Sequence, residues 1–165
     1  MSLSGRRWVC AFAISAMVLA VASQAAAGWE QTRWGMTPAE VHAAMPGTRP
    51  SRGEGLQGML ERSRGRSVFA SIPVETKYYY RDGGLGLVGL DLPIRRCREA
   101  VAGLIEEHGQ PVRTSDQVLI QIAIWHDADS DTRIRLMTSS AGICSLYYEP
   151  LATYQQGDLA GEPVL

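Results

Sequence analysis

A helix start at residue 38 is the feature that most limits what this chain can fold into. Thr37 carries the hydroxyl of a good N-cap, and Pro38 at the first helical position has no N–H to leave unpaired. Glu40 stands two residues further on, where its carboxylate can accept a hydrogen bond from the Thr37 N–H and complete a capping box. Met36 and Val41 have the spacing of a hydrophobic staple. The pattern therefore predicts a helix that begins at Pro38.

Hydrophobic periodicity predicts the remaining elements of a single α+β domain over residues 28–149. Apolar residues at helical spacing indicate a second helix over 94–108. Alternating or aromatic-rich runs indicate strands over 56–62, 67–74, 75–81, 85–92, 118–126, 132–138 and 143–149. The dipeptide Arg64-Gly65 is interpreted as the turn between the first two. We expect one antiparallel sheet of about six to seven strands with two helices packed on one face, in the order α-β-β-β-β-α-β-β-β.

Residues 1–27 have the three parts of a secretory signal peptide. Arg6 and Arg7 give a positive start, residues 9–22 are apolar, and residues 25–27 are three alanines that suit cleavage. The apolar run is shorter than the roughly 20 residues that a membrane-spanning helix needs. Cys10 lies at the front of this run, which argues against a lipid-modified cysteine. We expect a cleaved signal and a soluble periplasmic chain that does not span the membrane; a retained anchor is the alternative.

The composition excludes some classes of partner and leaves the end of the chain without a predicted structure. The formal net charge is −1, and cleavage of the signal would remove two arginines and no acidic residue, so no basic field attracts nucleic acid. Neither GxGxxG nor GxxxxGK[ST] occurs, and we predict no cofactor. Residues 150–165 lose hydrophobic periodicity, which predicts a flexible C-terminal tail.

Two cysteines, Cys97 and Cys144, remain beyond the predicted signal. An even pair in an oxidising compartment is typical of a disulfide, and both lie at positions predicted to face the core. The alternative is a periplasmic enzyme, a hydrolase or a thiol-dependent catalyst, that draws on Cys97 together with His108, His126 and Asp127. His108 also fits a structural role at a helix C-terminus, where its positive form meets the negative end of the helix dipole.

Arginines are concentrated in the glycine-rich segment 48–66. Arg62, Arg64 and Arg66 alternate along it, with few acidic residues nearby. Guanidinium groups in such a cluster can bind a carboxylate or phosphate, which makes these three residues candidate contacts for an anionic partner. A solvated strand surface is the alternative interpretation.

Alternating carboxylates at Asp127, Asp129 and Asp131 are the only metal-like pattern. Such spacing occurs in Ca²⁺ loops, but Thr132 stands where the turn glycine belongs and Thr138 where the bidentate glutamate belongs. A hairpin turn rich in aspartate explains the same residues. We therefore predict no metal site and keep these aspartates as weak candidates.

Two short motifs resemble segments of known bacterial proteins. Residues 34–41, WGMTPAEV, followed by Pro46-Gly47, resemble the opening of small envelope proteins related to the outer-membrane-assembly small lipoprotein and the β-lactamase inhibitor protein, in which a GM(S/T)xxEV…G helix start precedes antiparallel strands. Residues 104–111, LIEEHGQP, resemble the LxxxxGxP helix ends of periplasmic relatives. The resemblance implies a helix-plus-strands fold and protein binding, and it supplies no catalytic residue.

The prediction from the sequence is an exported, non-catalytic binding or accessory protein of the bacterial cell envelope. Its expected partner is an envelope protein or an anionic envelope component. The periplasmic enzyme that uses Cys97, His108 and His126 is the alternative.

Overall fold

An antiparallel sheet of nine strands with three α-helices makes up residues 28–160, the part of the chain that this computed structural model describes. The predicted signal peptide over 1–27 and residues 161–165 lie outside the described residues. The helices are α1 (Pro38–Ala44), α2 (Cys97–His108) and α3 (Leu151–Ala160). The strands are β1 (Arg49–Pro50), β2 (Gly55–Leu56), β3 (Met59–Phe69), β4 (Ile72–Arg81), β5 (Gly84–Asp91), β6 (Arg113–Gln117), β7 (Ile120–Asp127), β8 (Thr132–Ser139) and β9 (Cys144–Pro150).

The chain uses the same plan twice, a helix followed by a meander of strands. The strand order across the sheet is β1-β3-β4-β5-β9-β8-β7-β6, with β2 paired to β3. The first meander follows α1 and the second follows α2, and their last strands, β5 and β9, pair antiparallel at the centre. The two halves therefore form one continuous sheet, whose two faces are covered differently.

The first face of the sheet carries the main hydrophobic core. Val41 of α1 and Leu104 of α2 belong to the same buried cluster as Tyr78, Ile134 and Leu146 of the sheet. Burial of large apolar side chains of this kind is worth about 1.5–3 kcal/mol each. The α+β class is confirmed, and α1 and α2 pack on one face as predicted.

The helix start at residue 38 is confirmed. The Thr37 hydroxyl accepts from the Glu40 N–H at 3.4 Å, and the Glu40 carboxylate accepts from the Thr37 N–H at 2.7 Å. The second helix begins later than predicted, because residues 94–96 form a 3₁₀ turn and Ile94 is exposed. The sulfurs of Cys97 and Cys144 lie 2.07 Å apart, so the predicted pair is at disulfide distance and joins the start of α2 to the start of β9.

The sheet has nine strands rather than six to seven, and one predicted turn is wrong. No turn occurs at Arg64-Gly65, since β3 runs without interruption from Met59 to Phe69. The chain reverses at Ala70 and Ser71, whose φ angles are 45° and 64°. These residues take the left-handed conformation without the glycine that normally signals it.

The flexible tail predicted over 150–165 is instead a helix as far as residue 160. Leu151 and Asp158 of α3 are buried. In β8, Arg133 and Arg135 alternate with Ile134, which faces the core, so the arginines point to the second face. Arg133 pairs with Asp158, which places α3 on that second face. Among the described residues, no helix is long and apolar enough to cross a membrane.

Candidate functional site

Two rows of side chains on the second face of the sheet stay open to solvent. One row crosses β3, β4, β5 and β9 through Arg64, Lys77, Gly89 and Tyr147, and the next crosses the same strands through Arg66, Glu75, Asp91 and Ser145. All of them except Gly89 are half-buried or exposed. We call these eight residues the open strip. Five of the eight carry a charge, and the strip is a candidate surface because α3 does not cover it.

Most charges of the open strip already have partners within the strip or beside it. Lys77 Nζ lies 2.6 Å from Asp91 Oδ2, and the hydrogen bond from Lys77 to that carboxylate raises the pKa of the ammonium. Arg64 Nη2 lies 2.7 Å from Glu61 Oε1, and Arg64 Nη1 lies 3.3 Å from Glu75 Oε1. Lys77 and Arg64 are therefore neutralised locally.

A cavity of about 560 Å³ at the β3 end of the strip is lined by three arginines, Arg49, Arg64 and Arg66, together with Glu75. We call it the arginine cavity. Arg49 of β1 stands directly opposite Arg64 of β3, whose charge is offset by Glu61 and Glu75. Arg49 and Arg66 are exposed and form no ion pair with any residue between 28 and 160. Two free guanidinium groups on one cavity can each bind a carboxylate or phosphate in bidentate fashion.

A second cavity, of about 370 Å³, adjoins the arginine cavity and shares Arg64 with it. It has aromatic walls: a Cβ at Gly89 would lie 3.3 Å from the Tyr147 ring and 3.4 Å from the Tyr79 ring. A side chain at Gly89 would therefore press on both rings. The Arg135 guanidinium stacks 4.6 Å from the centre of the Tyr147 ring. Aromatic area next to guanidinium groups is common at protein-binding surfaces.

The structure separates the three arginines that the sequence groups together. Arg64 and Arg66 line the arginine cavity, whereas Arg62 lies exposed at the bulge between Glu61 and Ser63, outside the cavity lining. Arg49 is the residue that sequence reasoning misses. It is 15 residues before Arg64 in the chain, and only the pairing of β1 with β3 brings the two together.

Of the residues of the predicted enzyme, the structure brings only His108 and Asp127 to one cavity. Cys97 is at disulfide distance from Cys144. His126 points to the second face, where its Nε2 lies 2.9 Å from Asp158 Oδ2. Asp127 is the next residue of the same strand and therefore points to the first face, where it lines a cavity with His108.

The three alternating aspartates form a hairpin turn between β7 and β8. Asp127 Oδ1 accepts from the Asp129 N–H at 3.1 Å and from the Ser130 N–H at 3.3 Å, while Oδ2 accepts from the Ser130 hydroxyl at 2.6 Å. The Asp131 carbonyl accepts from the Trp34 indole and from the Leu151 N–H. Within residues 28–160, no group of three or more histidine, cysteine or acidic side chains could hold a metal ion.

A buried ion network lies under α3 at the other end of the second face. It consists of Arg133 and Arg135 from β8, Glu149 from β9, Asp158 from α3 and His126 from β7. Arg133 pairs with both carboxylates, and Arg135 Nη2 lies 2.7 Å from Glu149 Oε1. Burial alone would raise the pKa of Asp158, but hydrogen bonds from Arg133 and His126 outweigh it and lower that pKa. Every charge in the network has a partner, so its main effect is to fasten α3.

The fold and these sites define an α+β protein with one helix-covered face and one charged, partly open face. No family model matches the chain, and no curated protein matches it significantly. Among solved structures it is similar to a DUF4309 family protein, YjgB, from Bacillus subtilis subsp. subtilis str. 168. The two share 11% identity with a TM-score of 0.44, over 69% of this chain and 78% of that one. A likeness of that size says nothing about function.

Proposed function

We propose that this chain is an exported, non-catalytic binding module of the bacterial cell envelope, and that it binds an acidic face of an envelope protein on the open strip. The arginine cavity is the observation that supports this most. Arg49 and Arg66 are exposed and unpaired among the described residues, and both line the same cavity. Arg64 and Lys77 already have carboxylate partners, so the guanidinium groups of Arg49 and Arg66 supply the positive charge that is available to a partner.

The aromatic cavity beside the arginines supports a protein as the partner. Tyr79 and Tyr147 offer apolar area next to Arg64, and interfaces commonly combine such aromatic area with charged residues at the rim. Rim charges mainly raise the rate of association and select the correct partner. Binding is therefore expected to weaken as salt increases.

Two features support export. The first 27 residues have the pattern of a signal peptide, Cys97 and Cys144 are at disulfide distance, and disulfides persist in oxidising compartments.

The test is capture from a periplasmic extract at low salt, with the double variant Arg49→Ala/Arg66→Ala compared with the wild type. A matched control is Arg52→Ala/Arg62→Ala, because those arginines are equally exposed, have the same charge and lie outside the cavity. We expect the wild type and the control to retain an acidic protein that the cavity variant loses. Equal capture by both double variants, or retention of lipopolysaccharide alone, would contradict the proposal.

A further inference from the structure

A third cavity, of about 350 Å³, lies on the first face of the sheet, on the opposite side from the open strip. It is formed where the end of α2 approaches the β3–β4 turn, the segment before α1 and the β7–β8 turn. Its volume is at the lower end of the range for small-molecule sites. We call it the acidic cavity, for the reasons that follow.

Negative charge dominates the lining of the acidic cavity. Glu30, Glu107 and Asp127 supply three carboxylates, and no lysine or arginine is among the lining residues. His108, whose Nε2 lies 3.8 Å from Glu107 Oε2, is the only basic side chain there. The cavity also receives the C-terminal end of α2, a helix of 12 residues, and the dipole of a helix is negative at that end. This field favours a cation.

Aromatic rings form the inner wall of the same cavity. The Trp29 ring lies 4.6 Å from the Tyr148 ring at an angle of 45°, and 6.3 Å from the Phe69 ring at 42°. All three residues line the cavity and are largely buried. Aromatic faces attract organic cations and also provide apolar contact for the carbon skeleton that carries the charge.

The Tyr148 hydroxyl is a polar group of this wall for which the structure shows no hydrogen bond within residues 28–160. Tyr148 is only 6% exposed, but its hydroxyl is not among the fully buried polar atoms without a partner in residues 28–160, whereas the indole nitrogen of Trp29 in the same wall is. Burial raises the pKa of this phenol well above its usual value, and the nearby carboxylates of Glu107 and Glu30 raise it further. Tyr148, Glu30 and Glu107 line the same cavity, and a neutral phenol keeps its oxygen available as an acceptor.

We propose that the acidic cavity binds a small organic cation, a primary ammonium group attached to a short apolar body. The ammonium donates hydrogen bonds to the Tyr148 hydroxyl oxygen and the Glu107 carboxylate, and the apolar body contacts Trp29 and Phe69. A primary amine fits better than a quaternary one because the site offers hydrogen-bond acceptors that need N–H donors. This site goes beyond the proposed function, because it lies on the other face and uses none of the residues of the open strip.

Titration of the purified, ¹⁵N-labelled protein with benzylammonium at low salt tests the proposal. We expect saturable shifts of the Trp29 indole N–H and of the Gly103 amide, since both residues line the cavity. Benzyl alcohol has the same shape without the charge and should give no saturation over the same range. Tetramethylammonium has the charge without N–H donors and should bind more weakly than benzylammonium.

Two variants and one matched control identify the groups responsible. Tyr148→Phe removes only the hydroxyl, and Glu107→Gln removes only a charge, so each should weaken benzylammonium binding about tenfold. Glu106→Gln makes the same change one residue earlier, at an exposed position outside the lining, and should bind like the wild type. Absence of saturation, equal binding of benzyl alcohol, or an equal effect of both glutamate variants would overturn the proposal.

Discussion

Asp158, near the end of α3, and Arg133, in β8, form a bidentate ion pair beneath the helix. Arg133 Nε lies 2.7 Å from Asp158 Oδ2, and Arg133 Nη2 lies 2.8 Å from Asp158 Oδ1. The two side chains are 3% and 4% exposed. The Arg133 guanidinium also stacks on Tyr154, 4.6 Å from the ring centre. The position of α3 thus depends on charge pairing at a site where most helices use an apolar stripe.

Replacing Asp158 with alanine is expected to destabilise the protein strongly. The change leaves Arg133 buried with one carboxylate fewer, and removal of one partner of a buried ion pair costs about 3–5 kcal/mol. Urea unfolding measures the loss. Asp116→Ala is the matched control, since Asp116 is exposed on β6 and its change should cost less than about 0.5 kcal/mol. Similar losses in the two variants would show that the ion pair does not hold α3.

The same carboxylate should make stability sensitive to acid. Hydrogen bonds from Arg133 and His126 lower the pKa of Asp158 in spite of its burial. The folded-state pKa therefore lies below the unfolded value of about 3.9, so this contribution is complete above that pH and is lost as pH falls further. We expect the free energy of unfolding to decrease as the pH falls below about 4, and to decrease less in Asp158→Asn. The pKa values of Glu40 and Glu99 are also lowered, so the stability of the wild type and of Asp158→Asn should both retain some sensitivity to acid.

Residues with regular apolar spacing made the two main helices and the central strands predictable. The capping residues Thr37 and Glu40 located the start of α1, and apolar residues such as Leu104 located α2. The elements that the sequence does not predict lack both regular apolar spacing and capping residues. Strand β6 has the polar sequence RTSDQ and lies at the edge of the sheet. An antiparallel sheet can leave one face exposed to water, so this strand shows no alternation of apolar and polar residues. Helix α3 is held by the ion pair between Asp158 and Arg133 of β8. The sequence does not show that these two residues lie close together.

The candidate site was only partly predictable for a similar reason. Arg64 and Arg66 lie close in sequence, and alternation places them on one face of a strand. The third arginine of the cavity, Arg49, lies there because β1 pairs with β3. Strand β1 has only two residues, too few for a periodic pattern that would predict it. The acidic cavity combines residues from both ends of the described chain, Glu30 and Tyr148 among them, so its composition follows from topology alone.

The pair Cys97–Cys144 should stabilise the folded protein measurably. The two residues are 47 positions apart, and closing a loop of that length contributes about 4 kcal/mol in the chain-entropy model. We expect reductant to lower the urea midpoint of the protein that begins at Gly28, and thiol counting without reductant to find no free thiol after unfolding. The variant Cys97→Ala/Cys144→Ala is the control, since reductant should leave its midpoint unchanged. A free thiol in the untreated protein would contradict the pairing and revive a thiol-dependent role.

The capping box of α1 gives a prediction that tests structure separately from binding. Thr37→Ala removes the hydroxyl that accepts from the Glu40 N–H, and loss of an N-cap costs about 1 kcal/mol. The same change removes the hydroxyl that donates to Glu40 Oε2 at 2.8 Å, but leaves the bond from the Thr37 N–H to that carboxylate. Thr37→Ser keeps the hydroxyl and should recover most of the loss in thermal or urea unfolding. Because Thr37 lies in none of the three cavities, Thr37→Ala should keep binding intact at temperatures where it remains folded. A variant that kept its melting temperature but lost its partner would show that α1 itself forms part of the binding surface.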